Sequence, residues 1–333
     1  MARWKATDDE FARAWVQFGG HVRSVAAAFG MDERRAYERR KTVEQRLGII
    51  LPAGRDTTGR SRAKLPKRGF RHILKITDGI VPVFSDGHFW PDDDRSTSYL
   101  ALLEVIREFK PKATILNGDA FDGARISRHP PTGWVDLPEV AEELAACQDR
   151  LGEITAIARQ GNPDCALYWN AGNHDSRFTV RLAMIAPDYV RVHGTDIKDH
   201  FPDWSLAWST EINGSVMVKH RWHQGIHAAY NNVMKAGWSM VTGHCHRLCV
   251  TPMTDYNGRR WGVDTGTLAE FGPEHDKWTY GEDAPMNWCE GFAVLSFDER
   301  GNLAPPELCE VIDGKAWFRG QVIASKPTKR KRA

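Results

Sequence analysis

Five short segments of the sequence are rich in the side chains that proteins use to bind metal ions and to move protons. They combine histidine, aspartate and asparagine, and they lie at 85–88, 117–122, 172–175, 219–220 and 243–246. A set that mixes imidazoles with carboxylates and an amide suits Mn²⁺, Fe or Zn²⁺ better than Ca²⁺. Histidine also ionises near neutral pH, so the same set can exchange protons with a substrate. The residue types therefore indicate metal-assisted acid–base chemistry.

Each segment directly follows a short apolar run of the length of a buried strand. The runs lie at 80–84, 114–116, 166–169, 215–218 and 239–241, and amphipathic patterns predict helices at 96–110, 138–160, 176–185 and 226–236. Alternating strands and helices predict a layered α/β core. In such sheets, ligand sites gather beyond the carboxyl ends of the strands, so we expect the five segments to meet there. Gly118, Gly172 and Gly243 permit the sharp turns that this requires, and Pro82 predicts an irregularity in the first strand.

In chain order the segments form the series D-x-H, G-D-x-x-D, G-N-H-D, a strand-end histidine and G-H-x-H. The stretches NGDAFDGARISRH, AGNHDSR, VTGHCHRL and VDTGTL carry most of this pattern. The series resembles that of the calcineurin-like metallophosphoesterases over residues 72–300, and the stretches are most similar to members of that superfamily from tailed bacteriophages. The resemblance implies an α/β (α+β) fold, a four-layer αββα sandwich of two mixed sheets.

The resemblance also implies two divalent metal ions as cofactors, with Mn²⁺ favoured and Fe or Zn²⁺ as alternatives. The implied ligands form two groups, one of Asp86, His88 and His246 and the other of Asn173, His220 and His244. Asp119 would bridge the two ions, because one carboxylate offers two oxygens to cations that lie about 3.5–4 Å apart. His223 is the alternative to His220, which is preferred because it directly ends an apolar run.

A histidine that is not needed as a ligand, His174, is implied to be the general acid that protonates the leaving oxygen after attack by a metal-bound hydroxide. Either Asp122 or Asp175 would orient its ring. Asp122, three residues after the implied bridging aspartate, is preferred, and Asp175 has the alternative role of a turn or helix-cap residue.

Three arginines in or near these segments, Arg125, Arg128 and Arg177, are candidate substrate-binding residues for phosphate oxygens. The alternative for each arginine is an exposed ion pair with an acidic part of the surface.

The charge distribution predicts four regions. Residues 1–72 carry 17 Lys and Arg against 8 Asp and Glu, although the net charge of the 333 residues is only +2. We predict a helix-turn-helix-like segment at 1–50 with three helices, a basic linker at 51–71, the main domain at 72–312 and a basic tail at 313–333. The first segment is either a nucleic-acid-binding element or a helical hairpin that docks or makes oligomers.

The sequence favours a phosphodiesterase or nuclease, because clustered Lys and Arg gain affinity for nucleic acid by releasing counterions. One alternative is a phosphomonoesterase that acts on nucleotides or phosphoproteins. Another is a nucleic-acid-binding module with an inactive phosphoesterase fold, although all seven ligand positions are intact. Six cysteines without paired spacing argue against a disulfide framework. The sequence contains no apolar stretch of membrane-spanning length, so we expect no membrane partner and a cytoplasmic protein, in the host cytoplasm if a phage encodes it. It does not indicate the oligomeric state.

Overall fold

The computed structural model describes residues 6–52, 71–128, 136–271 and 287–326. The chain divides into two compact units, Met1–Lys64 and Leu65–Ala333. Most of the predicted linker (53–70) and the last part of the predicted tail (327–333) lie outside the described residues. No helix in the described ranges is both long enough and apolar enough to cross a membrane.

The first unit contains the three predicted helices, which are α1 (Asp8–Gln17), α2 (Val22–Ala28) and α3 (Glu33–Leu47). Local sequence explains their ends. Thr7 and Glu10 form a capping box at the start of α1, Asp32 caps α3, and Gly48 ends α3 in a left-handed conformation. Apolar side chains of all three helices, Trp15 and Val43 among them, pack into one small core.

The second unit is built on two mixed sheets. In chain order the strands are β1 (His72–Leu74), β2 (Gly79–Phe84), β3 (Ala113–Leu116), β4 (Ala166–Asn170), β5 (Ser205–Ala207), β6 (Thr210–Ile212), β7 (Val216–Val218), β8 (Ser239–Thr242), β9 (Leu248–Asp255), β10 (Gly258–Thr265), β11 (Gly291–Phe297), β12 (Glu307–Ile312), β13 (Lys315–Phe318) and β14 (Gln321–Ser325). One sheet has the order β14-β13-β12-β11-β2-β3-β4-β5 and the other β1-β6-β7-β8-β10-β9. Strands β2 to β5 run parallel, as do β7, β8 and β10.

Helices cover both outer faces of the paired sheets. The helices are α4 (Thr97–Phe109), α5 (Val140–Gly161), α6 (Asp175–Ile185) and α7 (Ala228–Ala236), with 3₁₀ turns at Pro187–Tyr189 and Ile197–His200. Helices α4 and α5 pack on the eight-stranded sheet, and α7 packs on the six-stranded one. A second apolar core lies between the sheets. The result is the predicted four-layer αββα sandwich.

Strand β2 shows why the sequences of the central strands are continuous apolar runs. Val81 and Val83 face the core between the sheets, whereas Phe84 belongs to the core under α4 and α5. Successive side chains point to opposite faces, so a strand buried on both faces needs apolar residues throughout. The irregularity expected at Pro82 is absent. Strand β2 pairs with β11 without a register shift, and its pairing with β3 begins only at Val83.

The boundary predicted at 312 is wrong, because the chain continues as a hairpin of the eight-stranded sheet. Strands β13 and β14 are joined through Arg319 and Gly320, which both have positive φ. Ala316 and Phe318 alternate with exposed neighbours and are buried in the core that α4 covers. This two-residue period is typical of a half-buried strand, and the basic composition beyond it obscures the pattern in the sequence.

Candidate metal centre

The five polar segments meet at the carboxyl ends of their strands. Asp86 and His88 follow β2, Asp119 follows β3, and Asn173 follows β4. His220 follows β7 and the pair His244 and His246 follows β8, so both sheets contribute. The structure therefore brings all seven expected metal ligands to one edge of the sandwich.

The first group consists of Asp86, His88 and His246, whose ligand atoms lie within 4.8 Å of one another. His246 Nε2 is 3.1 Å from Asp86 Oδ1, and His88 Nε2 is 3.9 Å from the same oxygen. All three residues are buried. Trp288, which the sequence analysis did not single out, packs its ring against His246 at 4.3 Å between centroids.

The second group consists of Asp119, His220 and His244, with Asn173 beside it. His220 Nε2 lies 3.0 Å from Asp119 Oδ2 and 3.2 Å from Asn173 Oδ1. The other ring nitrogen of His220 is 2.7 Å from the Asn117 carbonyl, which fixes the direction of the ring. His223 is not part of the group. The structure thus places His220, the preferred residue of the two, among the candidate ligands.

The backbone at the candidate ligands is unusual. Five of them have positive φ: Asp86, His88, Asp119, His244 and His246, with values from 41° to 69°. Residues with side chains rarely adopt this left-handed region, and such strain persists only where the surroundings impose it. Its concentration at the cluster indicates that the fold holds these side chains in position for a purpose other than stability.

Close packing of the loops explains the glycines next to the ligands. A Cβ at Gly172 would lie 2.0 Å from Asp119 Oδ1, and one at Gly118 would lie 2.4 Å from His220 Nδ1. A Cβ at Gly243 would lie 2.9 Å from Asp86 Oδ2. The sequence predicts sharp turns at all three glycines. Of the three, only Gly118, at φ +93°, has the turn conformation. Gly172 is needed because the chain passes close to the Asp119 carboxylate, and Gly243 because it passes close to the side chains of Ser85 and Asp86.

The charges in the cluster fit cations. Burial raises the pKa of Asp86, but His246 lowers it, to about 2. Burial lowers the pKa of His220, but Asp119 raises it to about 9, whereas burial and His220 lower the pKa of His244 to about 4. Asp86 and Asp119 thus stay ionised although they are buried, and positive charge from a protonated imidazole or a metal cation has to lie close to them. Imidazole nitrogens and carboxylate oxygens within 4.8 Å of one another are a donor set that divalent transition metals accept.

His174 lies beside the cluster with its ring held on both sides. Its Nδ1 is 2.6 Å from Asp122 Oδ1, and its Nε2 is 3.2 Å from a nitrogen of Arg177. Asp122 also accepts a hydrogen bond from Trp90 Nε1 at 3.2 Å. Burial lowers the pKa of His174, but Asp119 and Asp122 outweigh burial and raise it. Asp122 therefore orients the ring through Nδ1, and its charge favours the protonated form. Because a guanidinium only donates hydrogen bonds, Nε2 carries a proton only when Arg177 turns away from it.

Asp175 does not contribute to orienting His174, so this part of the sequence-based assignment is corrected. Its buried carboxylate accepts hydrogen bonds from the backbone amides of Asp119, Ala120, Phe121 and Gly172 and from Trp169 Nε1, at 2.7–3.2 Å. Asp175 thus ties the loop after β3 to the loop after β4. The sequence does not reveal this role, because three of the partners are backbone amides about 55 positions earlier in the chain.

The segment VDTGTL, at 263–268, supports the first metal group from behind. Thr267 Oγ1 donates to the Asp86 carbonyl at 2.6 Å, and the Leu268 amide donates to the Ser85 carbonyl at 3.1 Å. Ser85 Oγ also lies 2.7 Å from Thr265 Oγ1. These bonds fix the loop that carries Asp86 and His88.

A cleft of about 940 Å³ opens beside Asn173 and His220. Five basic side chains line it: Arg128, Arg177, Arg181, Lys219 and Arg221. Burial, together with Arg71 and Arg221, lowers the pKa of Lys219, so positive charge is concentrated here. Of the three arginines expected to bind substrate, Arg128 and Arg177 line the cleft. Arg125 instead donates to the carbonyls of Leu137 and Pro138, before α5.

Three other cations of the cleft, Arg181, Lys219 and Arg221, were not among the expected substrate-binding residues, because the sequence motifs do not include them. Lys219 and Arg221 flank His220 on its loop, and Arg181 is one helical turn beyond Arg177 on α6. The spacing of Arg177 and Arg181 was the available signal, since residues four apart lie on one face of a helix.

Fold and site together define an α/β sandwich protein with a candidate two-metal centre at the carboxyl ends of its strands. No family model matches the chain. The Gene 54 protein of Mycobacterium phage L5 is 30% identical over 263 residues, which cover 73% of this chain and 97% of the relative. The Gene 54 protein of Mycobacterium phage D29 is 25% identical over 261 residues, with the same coverage. The chain belongs to this family of mycobacteriophage Gene 54 proteins.

Two solved structures are also similar at low sequence identity. A Vps29 mutant from Entamoeba histolytica is 13% identical with a TM-score of 0.36, covering 72% of this chain and 96% of that one. A protein serine/threonine phosphatase from Saccharomyces cerevisiae, described as similar to human phosphatase PP5, is 12% identical with a TM-score of 0.34. It covers 73% of this chain and 84% of that one.

Proposed function

We propose that the protein is a two-metal phosphoesterase that hydrolyses phosphodiester bonds in nucleic acid. The observation that carries this proposal is the meeting of two His–carboxylate groups with an oriented histidine next to them. Asp86, His88 and His246 would hold one divalent ion, and Asn173, His220 and His244 the other, with Asp119 between the groups. Mn²⁺ is the preferred ion, with Fe and Zn²⁺ as alternatives. When bound, such ions supply water activation at neutral pH and neutralise charge on a phosphate.

The residues around the centre would position the substrate and deliver a proton. His174 donates the proton to the leaving oxygen, and Asp122 keeps its ring in the required orientation through Nδ1. Arg177, whose guanidinium lies 3.2 Å from His174 Nε2, binds a phosphate oxygen next to the leaving group. Arg177 would leave His174 Nε2 to bind the phosphate, and Nε2 would then be free to carry the proton that it donates.

The basic cleft supports nucleic acid as the substrate. Several cations along one cleft fit a nucleic acid, which carries one phosphate on every nucleotide. A phosphomonoester has a single phosphate, so it requires only the positive charge at the metal centre. The relatives are encoded by bacteriophages, so we propose that the reaction takes place in the cytoplasm of an infected host. Recruitment of nucleic acid by residues 1–50 is part of this proposal.

A substrate panel tests the proposal directly. Full-length protein loaded with Mn²⁺ is assayed on a small phosphodiester, a small phosphomonoester, and single- and double-stranded DNA and RNA. We expect hydrolysis of the phosphodiesters and of at least one nucleic acid, lost on addition of EDTA and restored by Mn²⁺. Activity on the phosphomonoester alone would contradict the nuclease proposal and favour a phosphomonoesterase. No hydrolysis with Mn²⁺, Fe²⁺ or Zn²⁺ would identify an inactive binding module.

A further inference from the structure

One wall of the basic cleft has apolar side chains in addition to cations. Helix α6 presents two rows to it, Arg177 and Arg181 in one and Val180 and Met184 in the other. In each row the residues are four apart, so both rows run along the same side of the helix. Trp208 lies in the same cleft and is 41% exposed.

The position of Trp208 relative to the metal centre is fixed by the sheet. Strand β5 ends at Ala207, which is paired with Asn170 of β4, and the Ala171 amide donates to the Ala207 carbonyl at 2.7 Å. Trp208 therefore leaves the sheet next to the loop that carries Asn173. An aromatic ring at this place borders the cleft close to the candidate ligands.

Two of the cations in the cleft are available to a ligand. Arg181 and Arg221 are exposed, and neither makes an ion pair with a carboxylate within the described ranges of the chain. Cations that are not neutralised by the protein bind phosphate without first breaking an internal ion pair. The cleft thus combines sites for several phosphates with a flat apolar surface.

Such a combination fits a single-stranded nucleic acid. Its phosphates require separate cations along the strand, and its unpaired bases offer flat faces that stack on aromatic side chains. In a duplex the base faces are covered by neighbouring pairs, so an indole cannot stack on them without opening the helix. A phospholipid has only one head group for the five cations of the cleft, and its aliphatic chains have no flat face that could stack on an indole.

We infer that Trp208 stacks on a base of a single-stranded nucleic acid whose phosphates lie along Arg181, Lys219 and Arg221. The inference rests on the proposed function only in that the phosphate to be cleaved lies at Asn173 and His220. Trp208 is a specificity residue that holds the strand and takes no part in bond cleavage.

Binding is measured on the full chain in EDTA, so that cleavage plays no part. The probe is a fluorescent oligothymidylate of about 12 nucleotides, a length in the range of single-strand binding sites. Its affinity is compared with that of an abasic strand with the same number of phosphates and with that of the matching duplex. The variants are Trp208→Ala, Trp208→Phe and, as a matched control, Trp317→Ala on β13, where the tryptophan is 42% exposed and away from the cleft lining. Thermal unfolding of each variant verifies that it is folded.

The wild type is expected to bind the oligothymidylate about tenfold more tightly than the abasic strand. Trp208→Ala should remove this difference, Trp208→Phe should restore most of it, and Trp317→Ala should leave it unchanged. Equal loss with both alanine variants, equal affinity of the wild type for both strands, or preference for the duplex would overturn the inference. Preferential binding to phosphatidylglycerol vesicles would also overturn it.

The substrate panel separates this inference from the proposed function. Hydrolysis of phosphodiesters without a Trp208-dependent preference for bases refutes the stacking inference and leaves the phosphoesterase intact. A Trp208-dependent preference without hydrolysis of any ester refutes the phosphoesterase and leaves base stacking intact.

Discussion

The helical unit and the basic cleft are both rich in arginine, but their arginines contact different groups. In the helical unit, five arginines make ion pairs with carboxylates of the same unit: Arg23, Arg34, Arg35, Arg40 and Arg46. In the cleft, Arg177 lies 3.4 Å from Asp122 Oδ1, but Arg181 and Arg221 border open space without such a pair among the described residues. Sequence composition does not distinguish the two cases.

The difference separates charge that is already paired within the protein from charge that is available to a ligand. Residues 6–52 as a whole contain eight basic and seven acidic side chains, although α3 alone is basic, with six basic and three acidic residues. Four of the arginines of α3 are already in the ion pairs named above. The basic excess of residues 1–72 thus comes mainly from positions outside the described helices. We therefore expect the cleft to contribute more to nucleic acid binding than the surface of α3.

The largest effect is expected at the centre itself. Asp119→Asn removes one of the two ionised carboxylates and weakens metal binding. We expect the rate on every substrate to fall below about a thousandth of the wild-type rate. Elemental analysis should show less than two equivalents of metal in the variant. Retention of both the rate and the metal would refute the bridging position of Asp119.

A core substitution in the helical unit tests whether the two units act separately. Trp15 is fully buried, and its Nε1 donates to the Pro52 carbonyl at 2.8 Å. Trp15→Ala should destabilise this unit by about 3–5 kcal/mol, because it leaves a large cavity. Hydrolysis of a small phosphodiester should stay at the wild-type rate. A parallel loss of that rate would show that the metal centre depends on the helices.

A buried carboxylate near the cluster predicts a pH effect on stability. Burial and the charge of Asp122 raise the pKa of Glu143 to about 7, although the Gly123 amide donates to it at 2.9 Å. A raised carboxyl pKa favours folding most below the unfolded value of 4.5, and this contribution is lost as the pH rises through 7. Glu143→Gln should therefore stabilise the protein by roughly 1–3 kcal/mol at pH 8 and leave stability at pH 4 nearly unchanged. Urea unfolding at both pH values measures this. A stability change of equal size at pH 4 and at pH 8 would contradict the raised pKa of Glu143.

The smallest effects come from a matched pair of arginines, one from each region. Arg181→Ala should raise the KM for single-stranded DNA severalfold and reduce the slope of log affinity against log salt by roughly 0.7, without changing stability. Arg40, which is 2.9 Å from Glu44 and 2.7 Å from the Leu51 carbonyl, should show the opposite. Arg40→Ala should cost about 1 kcal/mol of stability in the helical unit and leave KM unchanged. A loss of stability in Arg181→Ala together with a raised KM in Arg40→Ala would contradict the proposed difference between the two regions.

The sequence was sufficient for those parts of the fold and site that depend on local pattern. Apolar runs located β2, β3, β4, β7 and β8, and the polar residues that follow them are the ones that meet. The amide contacts of Asp175 depend on loops from different strands, which no local pattern records. Likewise, Arg125 is close to the G-D-x-x-D motif in the sequence, but its side chain donates hydrogen bonds to the carbonyls of Leu137 and Pro138, before α5. The basic residues at the end of the chain obscured the alternation of Ala316 and Phe318.

A single carboxylate joins the loops after β3 and β4, so the candidate ligands on these two loops depend on each other. Because Asp175 bonds to amides of both loops, Asp119 and Asn173 are carried on one rigid frame. The relative position of these two candidate ligands is therefore set when the chain folds, by a residue that is not itself a candidate ligand. Loss of the Asp175 carboxylate would uncouple the two loops and would reach the centre only through the position of their backbone.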